Sequence, residues 1–226
     1  MFGQQDAAFF IESLFKMNAR DVYVVGDVPG WHNALMVSRP TVPNSRIDTI
    51  ADGHPLWLLD YIPSPTSHVV PQKMLTPQNQ PDWRPYLEHT NLRMPIFFVQ
   101  HNGLIGLPLP RATVGDTETL RCADNVAPLG GGHFTQIRIS WPGYELWERQ
   151  IYLKDLTRFR NDITLRHFAK LVARIVDRFL THAAVTVPIR DLSWRVGVGG
   201  ITRDDVIIVG VVQVSTAGWM PILQIS

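Results

Sequence analysis

The chain has 226 residues, 45% hydrophobic and 18% charged, with a formal net charge of +1. That apolar content supports a sizeable core and excludes a disordered chain, while the near-neutral balance gives the whole molecule no electrostatic signature of a nucleic-acid or membrane binder. The single cysteine, Cys122, excludes an intramolecular disulfide and a multi-cysteine zinc site.

In chain order, Asp6 caps a predicted helix over residues 6–17, with Phe9, Phe10, Leu14 and Phe15 facing inward. The apolar run at 7–11 is short and bounded by Asp6 and Glu12, so it does not read as a signal peptide. No uncharged run approaches the length of a membrane span, and no Asn-x-Ser/Thr acceptor occurs. Together these place the expected location in the cytoplasm or nucleus, with no membrane partner.

Apolar runs at 22–25, 34–37 and 56–62 follow, the first closed by Gly26 and the Pro29-Gly30 turn. Residues 63–85 hold Pro63, Pro65, Pro71, Pro77, Pro81 and Pro85. Proline fixes φ and removes a backbone donor, so this stretch predicts a surface loop rather than a helix or central strand. It is the only candidate internal boundary in what otherwise reads as one domain, 1–226. Next, 95–99 and 104–107 flank His101-Asn102-Gly103. Asn-Gly adopts the positive φ of a tight turn, which predicts a β-hairpin. Residues 113–132 read as a loop ending in three glycines. Alternation over 134–140, with Phe134, Ile137 and Ile139 apolar, predicts a strand that pairs with 147–153 across Pro142-Gly143.

The strongest helical signal covers 164–182. Thr164 suits the N-cap, and Leu165, Phe168, Ala169, Val172, Ile175, Val176, Phe179 and Leu180 form one stripe at three- and four-residue spacing. Arg166, Lys170, Arg174 and Arg178 fall opposite it. The last segment carries two signals. Its Val and Ile content over 202–214 favours a strand, but Thr202-Arg203-Asp204-Asp205 resembles a capped helix start; a helix is predicted, then a short strand over 219–225. The expected fold is α+β: a mostly antiparallel sheet packed by one long amphipathic helix and shorter helices.

Two segments carry a resemblance. One is Trp141-Pro142-Gly143-Tyr144 with Trp147, Arg149-Gln150-Ile151, Asp155, Arg160-Asn161 and Ile163-Thr164; the other is Trp194-Arg195-Val196-Gly197 with Ile201, Asp204-Asp205, Val214-Ser215, Gly218-Trp219 and Pro221. Over 95–225 the chain resembles a family of uncharacterised proteins of mushroom-forming fungi. The resemblance implies a fungal source and carries no activity, cofactor or site residue with it.

No motif in the sequence names a reaction. None of the eight histidines lies in a His-Glu-x-x-His pair, and Asp52-Gly53-His54 is more simply a turn than a ligand pair. There is no Gly-x-Ser-x-Gly elbow. Arg121 could lower the Cys122 pKa, and His133 is the base closest to it in sequence, but a half-buried thiol is the plainer reading. The glycine runs at 130–132 and 197–200, like Val24-Val25-Gly26-Asp27, lack the context of a phosphate loop. No metal and no cofactor is expected, and catalytic residues stay unassigned.

Binding surfaces are the better lead. Residues 138–178 hold nine Lys/Arg and five Asp/Glu, a net of +4 in a chain of net +1. Like charges four apart on a helix repel by about 0.2–0.5 kcal/mol per pair, so the basic row is either solvated or set against an anion. Trp31, Trp83, Trp141, Trp147 and Trp219 sit near Pro or Gly, where a ring can form a platform or plug the core. The candidate binding residues are therefore Arg166, Lys170, Arg174, Arg178, Trp31 and Trp83, toward a protein or polyanion partner. The sequence supports a non-catalytic binding or interaction protein. The alternative is a small hydrolase or transferase with scattered residues, for which His101, His133 and Cys122 are the first candidates.

Overall fold

The computed structural model describes residues 14, 23–25, 34–38, 50–51, 54–61, 63–73, 92–130, 132–186, 188 and 192–226. Trp31, Trp83, the predicted helix over 6–17 apart from a helical, buried Leu14, and residues 74–85 of the proline-rich stretch lie outside them.

Strands form within the N-terminal apolar runs, the first of which reads as strand-like in the sequence. β1 (Tyr23–Val25), β2 (Ala34–Ser38), β3 (Ile50–Ala51) and β4 (His54–Tyr61) make a sheet of order β1-β2-β4-β3 with every pairing antiparallel.

The second sheet is larger. Its strands are β5 (His68–Val69), β6 (Ile96–Phe97), β7 (Leu107–Pro108), β8 (Phe134–Ile139), β9 (Trp147–Tyr152), β10 (Val206–Ser215) and β11 (Gly218–Ile225). The order is β6-β10-β11-β8-β9, with β5 also beside β11 and β7 also beside β10. Only β8 and β11 pair in parallel, so the α+β, mostly antiparallel expectation holds.

Part of the proline-rich stretch belongs to this sheet. β5 pairs with the end of β11, Val70 is buried, and the buried Gln72 side chain donates to the Pro221 carbonyl and accepts from the Ser140 amide. Two sheet residues between prolines fit an edge position, where a missing donor costs no ladder bond.

The Asn-Gly hairpin is present. Val99 and Ile105 bridge, the Gln100 amide donates to the Leu104 carbonyl, and Gly103 sits at φ 83°. A helix not expected from sequence follows it, α1 (Leu109–Val114), one turn and a half opened by prolines and closed by left-handed Gly115. The predicted long helix is α2 (Leu165–Ala183); Thr164 caps it by accepting from the His167 amide.

The reading of 202–214 as a helix is overturned. The capping box is real: the Asp205 carboxylate accepts from the Thr202 amide and hydroxyl. It closes only a 3-10 turn, Arg203–Asp205, after which β10 begins. β-branched side chains win here because the segment is buried on both sides, where a Val/Ile run packs as a central strand.

The aliphatic stripe of α2 shares one core cluster with Ile137 and Ile139 of β8, Ile151 of β9, and Val206, Ile208, Val211, Trp219 and Leu223 of the central strands. Aromatics fill its end. Phe179 lies within 5.6–6.1 Å of Trp141, Tyr144 and Trp147, centroid to centroid. Trp141 Nε1 donates to the Trp194 carbonyl at 2.8 Å, and the Tyr144 hydroxyl accepts from the Val196 amide at 2.9 Å. No helix among the described residues is long and apolar enough to cross a membrane.

Two substitutions test this packing by chemical denaturation. Phe179→Ala should cost about 3–5 kcal/mol, since it removes the ring three others touch. Gly210→Ala should cost about 1–3 kcal/mol, because a Cβ there overlaps the Ile96 carbonyl oxygen in the neighbouring strand. An unchanged midpoint in either variant would contradict the packing described.

Candidate functional site

In β8 the buried positions are Thr135, Ile137 and Ile139, so Phe134, Gln136 and Arg138 point to the other face. The apolar pattern of the sequence groups Phe134 with the inward isoleucines, and the structure corrects this. Its phase is one residue off theirs, and period two sends it outward. The register sets Phe134 opposite Tyr152, Gln136 opposite Gln150 and Arg138 opposite Glu148. This open face therefore carries an aromatic pair, an amide pair and an ion pair in succession. In the ion pair, Arg138 Nε lies 2.7 Å from Glu148 Oε1, although its N–H is not aimed along that line. Among the described residues β9 pairs only with β8, which makes it a sheet edge.

The chain leaves β9 into a braced loop. Buried Leu153 and Ile163 form its base, joined by the Ile163 amide and the Leu153 carbonyl. Lys154 and Asp162 bridge above them and form an ion pair at 2.8 Å. The Asp155 carboxylate accepts four hydrogen bonds, from the amide and hydroxyl of Thr157 and the amide and side chain of Asn161. Those bonds, led by the Thr157 hydroxyl, hold its pKa below the ordinary aspartate value. Arg160 is left-handed at φ 47°, a conformation costing a non-glycine residue about 1–2 kcal/mol.

None of this bracing uses the side chains at the tip. Leu156 is 102% exposed and Phe159 69%, while Phe134 and Tyr152 on the adjoining strands are 54% and 67% exposed. The Arg158 guanidinium lies 4.7 Å over the Phe159 ring. Arg158 and Arg160 form no ion pair among the described residues.

The predicted basic row on α2 divides. Arg166 is half-buried and pairs with Asp124 at 3.1 Å. Lys170 folds over Gly115, its Nζ 2.9 Å from where a Cβ on that glycine would sit. Arg174 and Arg178 are exposed, without an ion pair among the described residues, and neighbouring Asp177 engages Arg203 at 3.4 Å. The row thus offers two open cations rather than four.

The turn of His101 is joined to the segment of Cys122, the His101 amide donating to the Thr119 carbonyl and the Arg121 amide to the Val99 carbonyl, while His133 lies on another loop. His101 is exposed in the hairpin turn, His133 is exposed before β8, and half-buried Cys122 is left-handed at φ 53°. No group of three or more His, Cys, Asp or Glu among the described residues could hold a metal ion. Trp141 and Trp219 are core residues, and Trp147 and Trp194 pack against that core.

Comparison of the chain with protein-family models, with curated proteins and with solved structures finds no match.

The exposed features that sequence reasoning missed are Leu156, Arg158, Phe159 and Arg160. Their signal is Asp155-x-Thr157, an Asx-type turn, followed by a cation–aromatic–cation run inside the basic segment.

Asp155 sets a pH dependence for this loop. Its native pKa is depressed, so the order it confers is complete above the unfolded aspartate value of about 3.9 and is lost as pH falls through the lower native value. The Asp155 carboxyl carbon should titrate by NMR below that of a free aspartate, with the Asn161 amide shift following the same curve. A midpoint at or above the ordinary value would show that the four bonds do not hold in solution.

Proposed function

We propose that this protein is a non-catalytic interaction protein of the cytosol or nucleus, and that it meets its partner through the tip of the loop at 154–162 and the open face of β8 and β9. The observation that carries the reading is the contrast between a loop fixed by its base and a tip that contributes nothing to fixing it. Loop order costs about 1–2 kcal/mol of backbone entropy per residue, and here Asp155, Lys154 and Asp162 offset that cost. The tip then holds an aliphatic group, an aromatic ring and two guanidinium groups in water. Arginine and aromatic side chains are the residue types enriched at interface hot spots, and prior ordering lowers the entropic cost of docking. Arg160 adds to the argument: glycine would adopt its backbone geometry without strain, yet the chain places a cation there.

On this reading α2, packed against the sheet, is scaffold. Arg174 and Arg178 widen the positive field, and a polyanion or an acidic protein surface is the matching partner class. The single cysteine and the lack of glycosylation acceptors support the location, and the family resemblance of residues 95–225 adds a fungal source.

The test is affinity capture from extract of the source cell with wild type and a Leu156→Ser/Phe159→Ser/Arg158→Ser variant. The variant should lose at least about tenfold of the specifically retained material while keeping its melting temperature, since surface changes usually alter stability by less than about 0.5 kcal/mol. Equal recovery by both proteins would remove the loop from the proposal.

A further inference from the structure

We infer that the open face of β8 and β9, with the loop beside it, binds single-stranded nucleic acid; this rests on the interaction reading above and names its partner. The face is a strand-borne surface with three kinds of group in register. Phe134 and Tyr152 are direct cross-strand partners and both stand in solvent. Rings in that relation lie close enough to receive neighbouring bases by stacking, which is how sheet surfaces hold unpaired strands. The next pair on the same face is Gln136 and Gln150. Each amide offers both donor and acceptor, which suits the polar edge of a stacked base. Beyond them Glu148 engages Arg138, so that guanidinium is already matched within the protein. Arg149 of β9 points to the opposite face, 3.9 Å over the Trp147 ring, so the cations left for phosphate are Arg158 and Arg160.

This combination selects among anionic and planar ligands. An acidic peptide would satisfy the arginines but brings few flat faces to the ring pair. A neutral glycan would stack on the rings and leave the guanidinium groups without a counter-charge. A duplex hides its base faces. A single strand supplies stacking faces, hydrogen-bonding edges and evenly spaced negative charge together. The whole-molecule charge of +1 does not oppose this, because the positive excess is local, +4 over 138–178.

The experiment is fluorescence anisotropy of a labelled mixed-sequence single strand of about 12 nucleotides, within the usual range for one small domain. Competitors are its duplex, polyglutamate and a neutral oligosaccharide. The single strand should bind in preference to all three. Affinity should fall as salt rises from about 50 to about 200 mM, with a log–log slope near −1.4 if two phosphates are neutralised. Phe134→Ala and Tyr152→Ala should each weaken binding about tenfold or more with the salt slope unchanged. Arg158→Ala/Arg160→Ala should weaken it and flatten the slope. All four positions are exposed, and unchanged melting temperatures would certify the variants. Failure of the single strand to bind, insensitivity to Phe134→Ala and Tyr152→Ala, or equal binding of duplex or polyglutamate would each overturn the inference. If the oligonucleotide fails while cellular capture still depends on the loop, nucleic acid falls as the partner and the interaction reading stands. If both fail, both fall.

Discussion

β10 and β11 run antiparallel through the middle of the larger sheet, and apart from Ile207 and the terminal Ser215 and Ile225 every residue in them is buried. The two faces go to different places. Val211, Trp219 and Leu223 join the cluster with the stripe of α2, whereas Val212, Val214, Met220 and Ile222 are buried at the alternate positions outside that cluster, as are Leu14, Leu92 and Phe97. Full burial of one Val or Ile is worth about 1.5–3 kcal/mol, so this hairpin holds a large share of the folding free energy. It also fixes the neighbours. β6 and β7 attach along β10, β5 and β8 along β11, and β9 through β8. The buried Gln213 accepts from the Arg93 amide and donates to the Thr216 carbonyl, and Thr135 donates to Ala217, so even the connecting turn is tied to the sheet by satisfied polar groups.

That constraint explains which parts of the fold are legible in the sequence. α2 announces itself because an amphipathic stripe of that length has no other way to bury its apolar side, and the hairpin at Asn102-Gly103 does so because its turn needs positive φ. β10 is hidden because a local cap competes with a global environment. The Thr202–Asp205 box forms as the sequence suggests, but whether a helix continues depends on what surrounds the next ten residues. A Val/Ile run buried on both faces is a matter of tertiary context. α1 leaves no periodic signal because it is six residues long and contains Pro110. The exposed loop is hidden for a related reason. Leu156 and Phe159 look like core residues in any composition count, and only the fold shows that Leu153 and Ile163 take the core positions instead.

The tryptophan- and glycine-bearing pattern at 141–164 and 194–221 is architectural in large part. Trp141, Tyr144, Trp194 and Val196 meet through two hydrogen bonds and a ring contact of 6.2 Å, and Trp147 joins them at Phe179. Gly197, at φ 103°, lies against the Ala184 backbone where a side chain would crowd it. A pattern made of such residues reports how the end of the helix is locked to the sheet. It says little about ligands, because packing residues and contact residues answer to different forces. Asp155, Arg160 and Asn161 depart from this, since they shape the loop rather than the core, as do exposed Arg149 and Gln150 on β9.

The same separation applies to the charges. Arg111, Arg138, Lys154, Arg166 and Arg203 each face a carboxylate at 2.7–3.4 Å. Most of those pairs are exposed enough for solvent to screen them, so they add little to stability. Their larger effect is on the field. A paired cation contributes little potential beyond its partner, so the positive excess of 138–178 is expressed where ion pairs are missing among the described residues: at Arg158 and Arg160 on the loop, at Arg174, Arg178 and half-buried Lys170 on the helix, and at exposed Arg149 of β9, which stacks over Trp147. Counting charges along the sequence weights all members of the segment equally. Folding redistributes that weight, because Asp124 pairs with Arg166 and Lys170 lies over Gly115 while the Asp155 carboxylate is consumed inside the loop. What stays exposed is a short basic tip at 158–160 and the ring pair of Phe134 and Tyr152, a smaller surface than a basic helix face.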